Sequence, residues 1–249
     1  MTFQRAFGAW SSLAAGGTAD ILAASGPDWL VLDAQHGTYD DGGVRAALGT
    51  LGHRGVPVWV RVCDDSASGI GRALDAGAHG VIVPMIDTAA QAERAAKACR
   101  YPPRGTRSFG PIGALLGRPT PTPETANSTI TCAVMVETRT AVTNVDEIAA
   151  TPGVDMVFVG PFDLAMAHGI TVDELLRDGM VLERIITSCN NNNVRAGVFA
   201  GTAERSGQLF DLGFTDVAVC TDAGLLASGA AAELARWRGI GATAARSGY

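Results

Sequence analysis

The chain has 249 residues, of which 47% are apolar and 18% charged, and its 19 basic and 25 acidic side chains leave a net charge of −6. Sequence-independent nucleic-acid binding needs a basic face, so this balance argues against it. No apolar run reaches the length of a membrane span, and the opening MTFQRAFGAW lacks the charged and apolar regions of a signal peptide.

Along the chain a short apolar run, a turn and an Ala-rich amphipathic stretch recur. A predicted strand over Phe7–Leu13 is followed by a helix over Thr18–Ser25, and Trp29–Asp33 by Gly43–His53. Val58–Val62 leads into Ser66–Ala76, and Gly80–Met85 into Thr88–Arg100. Tyr101–Ser128, rich in Pro, Gly, Thr and Arg, breaks the rhythm; long irregular connections often serve as lids or interface loops. The pattern resumes with strand Thr131–Glu137 and helix Val142–Ala149, then Met156–Gly160 and Met180–Asn191. Ala196–Phe199 with Ala203–Leu212, and Asp216–Cys220 with Asp222–Trp237, complete it. Gly26, Gly77 and Gly213 read as helix C-terminal caps.

Alternating β and α elements imply a parallel sheet with right-handed crossovers. Eight units in a chain of about 250 residues predict one α/β domain, a (β/α)₈ TIM barrel. An open doubly wound sheet usually shows fewer strands, or a Gly-rich dinucleotide turn after the first one. The five cysteines, Cys63, Cys99, Cys132, Cys189 and Cys220, are odd in number and form no C-x-x-C pair. Several lie in apolar runs and read as small core residues, and the set predicts a reducing cytoplasm, not a disulfide framework.

In such a barrel, catalytic groups sit at the C-terminal ends of the strands. There the chain offers Asp33-Ala34-Gln35-His36-Gly37 after the second strand, Arg61 on the third, Glu137 after the fifth and Asp163 after the sixth. The last two close apolar runs, and a charge cannot stay in a core buried on both faces. Taken singly, each carboxylate reads equally as a helix cap or a loop ion pair. On adjacent strands they form an oxygen donor set suited to Mg²⁺ or Mn²⁺, with waters or substrate oxygens completing an octahedron. His36 is the acid/base candidate, while His53 and His79 fall at the opposite end of the barrel and His168 reads as structural. Arg61 needs an anion, either a structural one such as Glu137 or a substrate oxyanion. By position alone, Asp75 is a capping or surface residue at a helix end.

Five segments then stand in a telling order. They are Asp28-Trp29-Leu30-Val31-Leu32-Asp33-Ala34-Gln35-His36-Gly37, Leu74-Asp75-Ala76-Gly77-Ala78-His79-Gly80-Val81-Ile82-Val83-Pro84-Met85, Arg100-Tyr101-Pro102-Pro103-Arg104-Gly105-Thr106-Arg107, Val136-Glu137-Thr138-Arg139 and Val157-Phe158-Val159-Gly160-Pro161-Phe162-Asp163-Leu164. Over almost its full length the chain resembles the HpcH/HpaI aldolases, class II metal-dependent pyruvate aldolases of the phosphoenolpyruvate/pyruvate barrel superfamily. The resemblance implies Glu137 and Asp163 as metal ligands, His36 as general acid/base and Arg61 as the enolate-stabilising group. It implies that Asp75 makes His36 more basic, against the positional reading. It places Gly160, Phe162 and Asp163 at the substrate carboxylate, Met135 in the substrate site and Asp33 near the aldehyde portion. The implied cofactor is Mg²⁺ or Mn²⁺, with Co²⁺ as a further option. The implied assembly is a homohexamer, a trimer of dimers with exchanged C-terminal helices, although Ala223–Trp237 equally suits an ordinary last barrel helix. Gln35 stands where a glutamate is common and Met135 where a glutamine often contacts substrate, which leaves substrate choice open.

The implied reaction is cleavage or formation of 4-hydroxy-2-oxo acids, giving pyruvate or a related 2-oxo acid and an aldehyde through a metal-stabilised enolate. Three alternatives use the same site: oxaloacetate decarboxylation, acyl-CoA or β-hydroxy diacid cleavage with Arg104 and Arg107 at the CoA phosphates, and non-catalytic keto-acid binding. The only lysine, Lys97, falls in a predicted helix, so a Schiff-base aldolase has no evident nucleophile.

Overall fold

The apolar runs close on themselves. In the computed structural model, which describes residues 3–15 and 17–246, eight parallel strands form a closed barrel in sequence order. The strands are β1 (Ala6–Ser11), β2 (Trp29–Asp33), β3 (Val58–Arg61), β4 (Gly80–Val83), β5 (Thr131–Val136), β6 (Met156–Val159), β7 (Arg195–Phe199) and β8 (Asp216–Thr221). The first helices are α1 (Thr18–Ala24), α2 (Asp41–Leu51), α3 (Ala67–Asp75), α4 (Ala89–Cys99), α5 (Ile112–Leu115) and α6 (Pro123–Thr129). They are followed by α7 (Arg139–Thr143), α8 (Val145–Ala149), α9 (Pro161–His168), α10 (Val172–Asp178), α11 (Met180–Asn192), α12 (Ala203–Leu212) and α13 (Asp222–Arg246).

Several departures from the predicted elements have a local cause. β1 stops at Ser11 because the N–H groups of Ser12 and Leu13 turn to the Asp222 carboxylate, at 2.9 and 3.0 Å. The helix predicted over Val142–Ala149 is two short helices that meet at Asn144, whose side chain donates to the Asp87 carbonyl at 2.7 Å. Between β6 and the helix predicted over Met180–Asn191 the structure adds two helices. α9 starts on Pro161, which fits a first helical turn where an N–H has no partner, and α10 has a Thr171–Glu174 capping box.

The apolar residues divide into two layers. Outward side chains such as Leu30, Leu32, Val60, Val81 and Val157 pack beneath the helices. Inward ones, among them Trp10, Trp29, Trp59, Ile82, Met156 and Phe158, fill the barrel itself. Trp29 and Trp59 stack at 4.7 Å. The guanidinium of Arg195 lies 5.4 Å from the Trp59 ring and bonds Asp216 at 3.0 Å and Thr131 at 3.1 Å, closing the end where the strands begin. Large side chains fit because small ones face them: a β-carbon on Gly8 would run into the Trp29 ring, and one on Gly197 would lie 2.5 Å from Phe158. Gly8→Ala therefore overpacks this layer. It should lower stability by about 1–3 kcal/mol, seen as a lower urea midpoint with an unchanged slope.

Candidate active site

Side chains alternate along a strand, so the residue two places beyond an interior side chain also faces the barrel axis. Beyond Trp10 stands Ser12, beyond Val31 Asp33, beyond Trp59 Arg61, beyond Met135 Glu137 and beyond Phe158 Gly160. They converge where the strands end. A cavity of about 270 Å³ opens there, lined by Asp33, His36, Arg61, Met135, Gly160, Phe162 and Asp163 from the sequence-predicted set. Phe199, at the end of the seventh predicted strand, lines it as well, and so do Trp10, Ser12 and Pro161, which the sequence reading does not single out. The alternation itself is the signal that points to Ser12.

Asp33 and Arg61 are register partners on β2 and β3. The guanidinium Nε and Nη2 donate to the two carboxylate oxygens at 2.9 and 2.6 Å. Trp10 Nε1 adds a bond at 3.2 Å, and the N–H groups of Gln35 and His36 add two more at 3.1 and 3.2 Å. Burial alone would push this carboxyl up, but Arg61 and those N–H groups hold it below its ordinary 3.8. The structural anion for Arg61 is thus Asp33, not Glu137. Both Asp33 oxygens are engaged, so within the chain it fixes Arg61 and the His36 loop. That loop is also laced to β1: Thr38 N–H donates to the Ser12 carbonyl at 2.8 Å, and Ala14 N–H to the Thr38 hydroxyl at 2.7 Å.

Glu137 is 2% exposed. It accepts a 2.8 Å bond from Met85 N–H, and Met85 holds φ at 57°, the left-handed region that a long side chain rarely adopts. This local strain aims a donor at the carboxylate. Burial and then the nearby Asp163 charge raise the Glu137 pKa, against the pull of Met85 N–H and Arg61. Asp163 sits not on a strand-end loop but on the first turn of α9. Gly160, which caps that helix, leaves no room for a side chain, since a β-carbon would strike Glu137 Oε2. Among the described residues no group of three or more His, Cys, Asp or Glu could hold a metal ion by itself. The two carboxylates nonetheless form a hard oxygen pair with uncompensated charge, which fits a cation completed by water or substrate oxygens.

Asp75 is not brought to His36. It ends α3 at the rim where strands begin, and its Oδ1 accepts from Arg107 at 2.7 Å, with the Arg107 guanidinium 4.5 Å from the Tyr101 ring. Within one chain Arg107 is thus paired at the far rim, away from this cavity. His79 is also at that rim, its Nδ1 accepting from Val58 N–H at 3.1 Å. Lys97 lies on α4, paired with Glu93 at 2.7 Å, so no lysine is placed for a Schiff base.

Residues 6–229 match the family model described as HpcH/HpaI aldolase/citrate lyase. The chain belongs to this family. It is 35% identical to a hydroxypyruvate/pyruvate aldolase of Paraburkholderia phytofirmans, over 87% of this chain and 86% of that one. It is 33% identical to a 2-dehydro-3,6-dideoxy-6-sulfogluconate aldolase of Pseudomonas putida, over 89% and 88%. A crystal structure of an HpcH/HpaI aldolase/citrate lyase family protein from Burkholderia cenocepacia superposes with a TM-score of 0.88 at 32% identity, covering 94% of this chain and 95% of that one. Membership of the HpcH/HpaI family makes the protein a carbon–carbon lyase of the aldolase type.

Asp33→Asn should cost about 3–5 kcal/mol, because it leaves the buried Arg61 charge without its partner. The sign with pH follows from the depressed Asp33 pKa. Its contribution is in place above 3.8 and is lost as pH falls through the lower folded value. Urea unfolding from about pH 6 to about pH 2.5 should therefore show a shallower acid loss for the variant than for the wild type.

Proposed function

We propose that this cavity performs the reversible cleavage of 4-hydroxy-2-oxo acids to pyruvate, or a related 2-oxo acid, and an aldehyde. The observation that carries this reading is the meeting of a carboxylate pair, an immobilised arginine and a histidine at one barrel rim. Glu137 and Asp163 are the residues that would hold a divalent cation, Mg²⁺ or Mn²⁺, because their donors are hard oxygens. When bound, such a cation supplies Lewis-acid polarisation of the keto-acid oxygens.

The remaining chemistry belongs to the chain. N–H groups at the start of α9, at Phe162 and Asp163, suit the substrate carboxylate, as free helix N-terminal donors do. His36 takes the proton from the 4-hydroxyl. The C3–C4 bond then breaks, the aldehyde leaves and the electron pair stays on the keto-acid fragment as an enolate. Arg61 spends Nε and Nη2 on Asp33, which leaves Nη1 for the developing oxyanion. Proton delivery to C3 completes the 2-oxo acid.

We further propose a homohexamer, a trimer of dimers with exchanged C-terminal helices. In its support, α13 carries Leu225, Leu226, Leu234 and Trp237 at 50–70% exposure, a stripe that one chain leaves uncovered. Assembly is also the arrangement in which Asp75 would act on a His36, that of another subunit. Five free cysteines and the lack of a helix apolar and long enough to span a membrane among the described residues support a cytoplasmic enzyme.

Three outcomes are expected. Solvent deuterium exchange into the pyruvate methyl group should need Mg²⁺ or Mn²⁺, stop with a chelator and be lost in Glu137→Gln and Asp163→Asn; exchange that ignores the chelator refutes the metal assignment. Arg61→Ala should lower kcat by about 10²–10³-fold, as loss of one oxyanion donor does. Leu226→Glu combined with Trp237→Glu should shift the light-scattering mass to a smaller species.

A further inference from the structure

Taking the aldolase reading as its basis, we propose that Phe162 and Phe199 form an aromatic shelf for the departing aldehyde and select apolar, ring-bearing aldehydes over hydroxylated or anionic ones. The cavity has two unlike walls. One holds Asp33, His36 and Arg61. The other is carbon-rich: the Phe199 ring stands edge-on to Trp10 at 5.2 Å and 81°, and Phe162 leans on Phe199 at 6.1 Å and 60°. Met135 adds a thioether to the cavity lining.

Phe162 is the informative member, because it stays 50% exposed at the cavity when a ring of that size gains by burial. The Arg205 guanidinium lies 6.0 Å from its ring and is itself paired with Asp173 at 3.1 Å. A half-exposed ring beside an interior aromatic stack presents a ready surface to a second ring. A 2-oxo acid held at Glu137 and Asp163 leaves its 4-substituent the space between His36 and this shelf.

The same wall disfavours the competing classes. Its rings offer carbon surface, and the one indole N–H among them, Trp10 Nε1, is bonded to Asp33 at 3.2 Å, so hydroxyls placed against the Phe162 and Phe199 rings would lose water without replacement. An anionic aldehyde would meet the Asp163 carboxylate in the cavity lining, and Arg205, beside the Phe162 ring, is already matched by Asp173.

The test is aldol addition of pyruvate by the cation-loaded enzyme to benzaldehyde, glycolaldehyde and succinic semialdehyde. Aldehydes differ in intrinsic reactivity, so the readout is the benzaldehyde-to-glycolaldehyde ratio of kcat/KM in each variant relative to the wild type. The ratio should fall about tenfold in Phe162→Ala and in Phe199→Ala, and less in Phe162→Leu, which keeps apolar bulk without a ring. An unchanged ratio in both alanine variants, in a wild type that exchanges pyruvate protons, overturns the shelf alone. So does a wild-type kcat/KM for succinic semialdehyde above that for benzaldehyde. No exchange in the wild type overturns the aldolase reading and the shelf with it.

Discussion

The strict two-residue alternation of side chains in a closed parallel barrel is the constraint on which the site depends. Closure leaves no edge strand, so every strand has one inward and one outward series. The outward series must be apolar to pack beneath helices, and the inward series must fill a narrow core. Once Trp29, Trp59, Met135 and Phe158 are inward, Asp33, Arg61, Glu137 and Gly160 have no choice about where they point. The rim where the strands end is the continuation of the core by one step on each strand.

That rim treats its carboxylates in opposite ways. Asp33 has an arginine, an indole and two backbone donors, and its pKa falls despite burial. Glu137 has one backbone donor and an acidic neighbour, and its pKa rises. The first arrangement is complete in the chain and rigid; it holds Arg61 at a defined angle. The second leaves the Glu137 carboxylate with one backbone donor beside a second acid. Two buried carboxylates on one rim are thus set in opposite electrostatic surroundings. Met85, strained so that its N–H meets Glu137, belongs to the same economy of placement.

The barrel was legible because its signal is repetitive. Buried parallel strands are short β-branched runs, and eight of them separated by Ala-rich stretches admit few topologies. Legibility failed where one residue type serves two ends. Val157-Phe158-Val159-Gly160-Pro161-Phe162-Asp163 reads as one apolar run, yet the chain turns at Gly160 and Asp163 belongs to a helix. Arg61 could be seen to need an anion, but choosing Asp33 over Glu137 required the β2–β3 register. Asp75 is the clearest case: its motif marks it as functional, while its place in one chain is an ion pair with Arg107 at the opposite rim.

The sequence by itself determined the strand–helix order, the carboxylate pair and the histidine and arginine that accompany it, because these follow from local apolar patterning and short motifs. Only the tertiary structure decided which charges meet, which stay uncompensated and which aromatic rings border the cavity. Those outcomes depend on register between strands far apart in the chain and on the direction of each side chain. Distances of a few ångströms between such residues set pKa values and contacts, and local patterning carries no record of them.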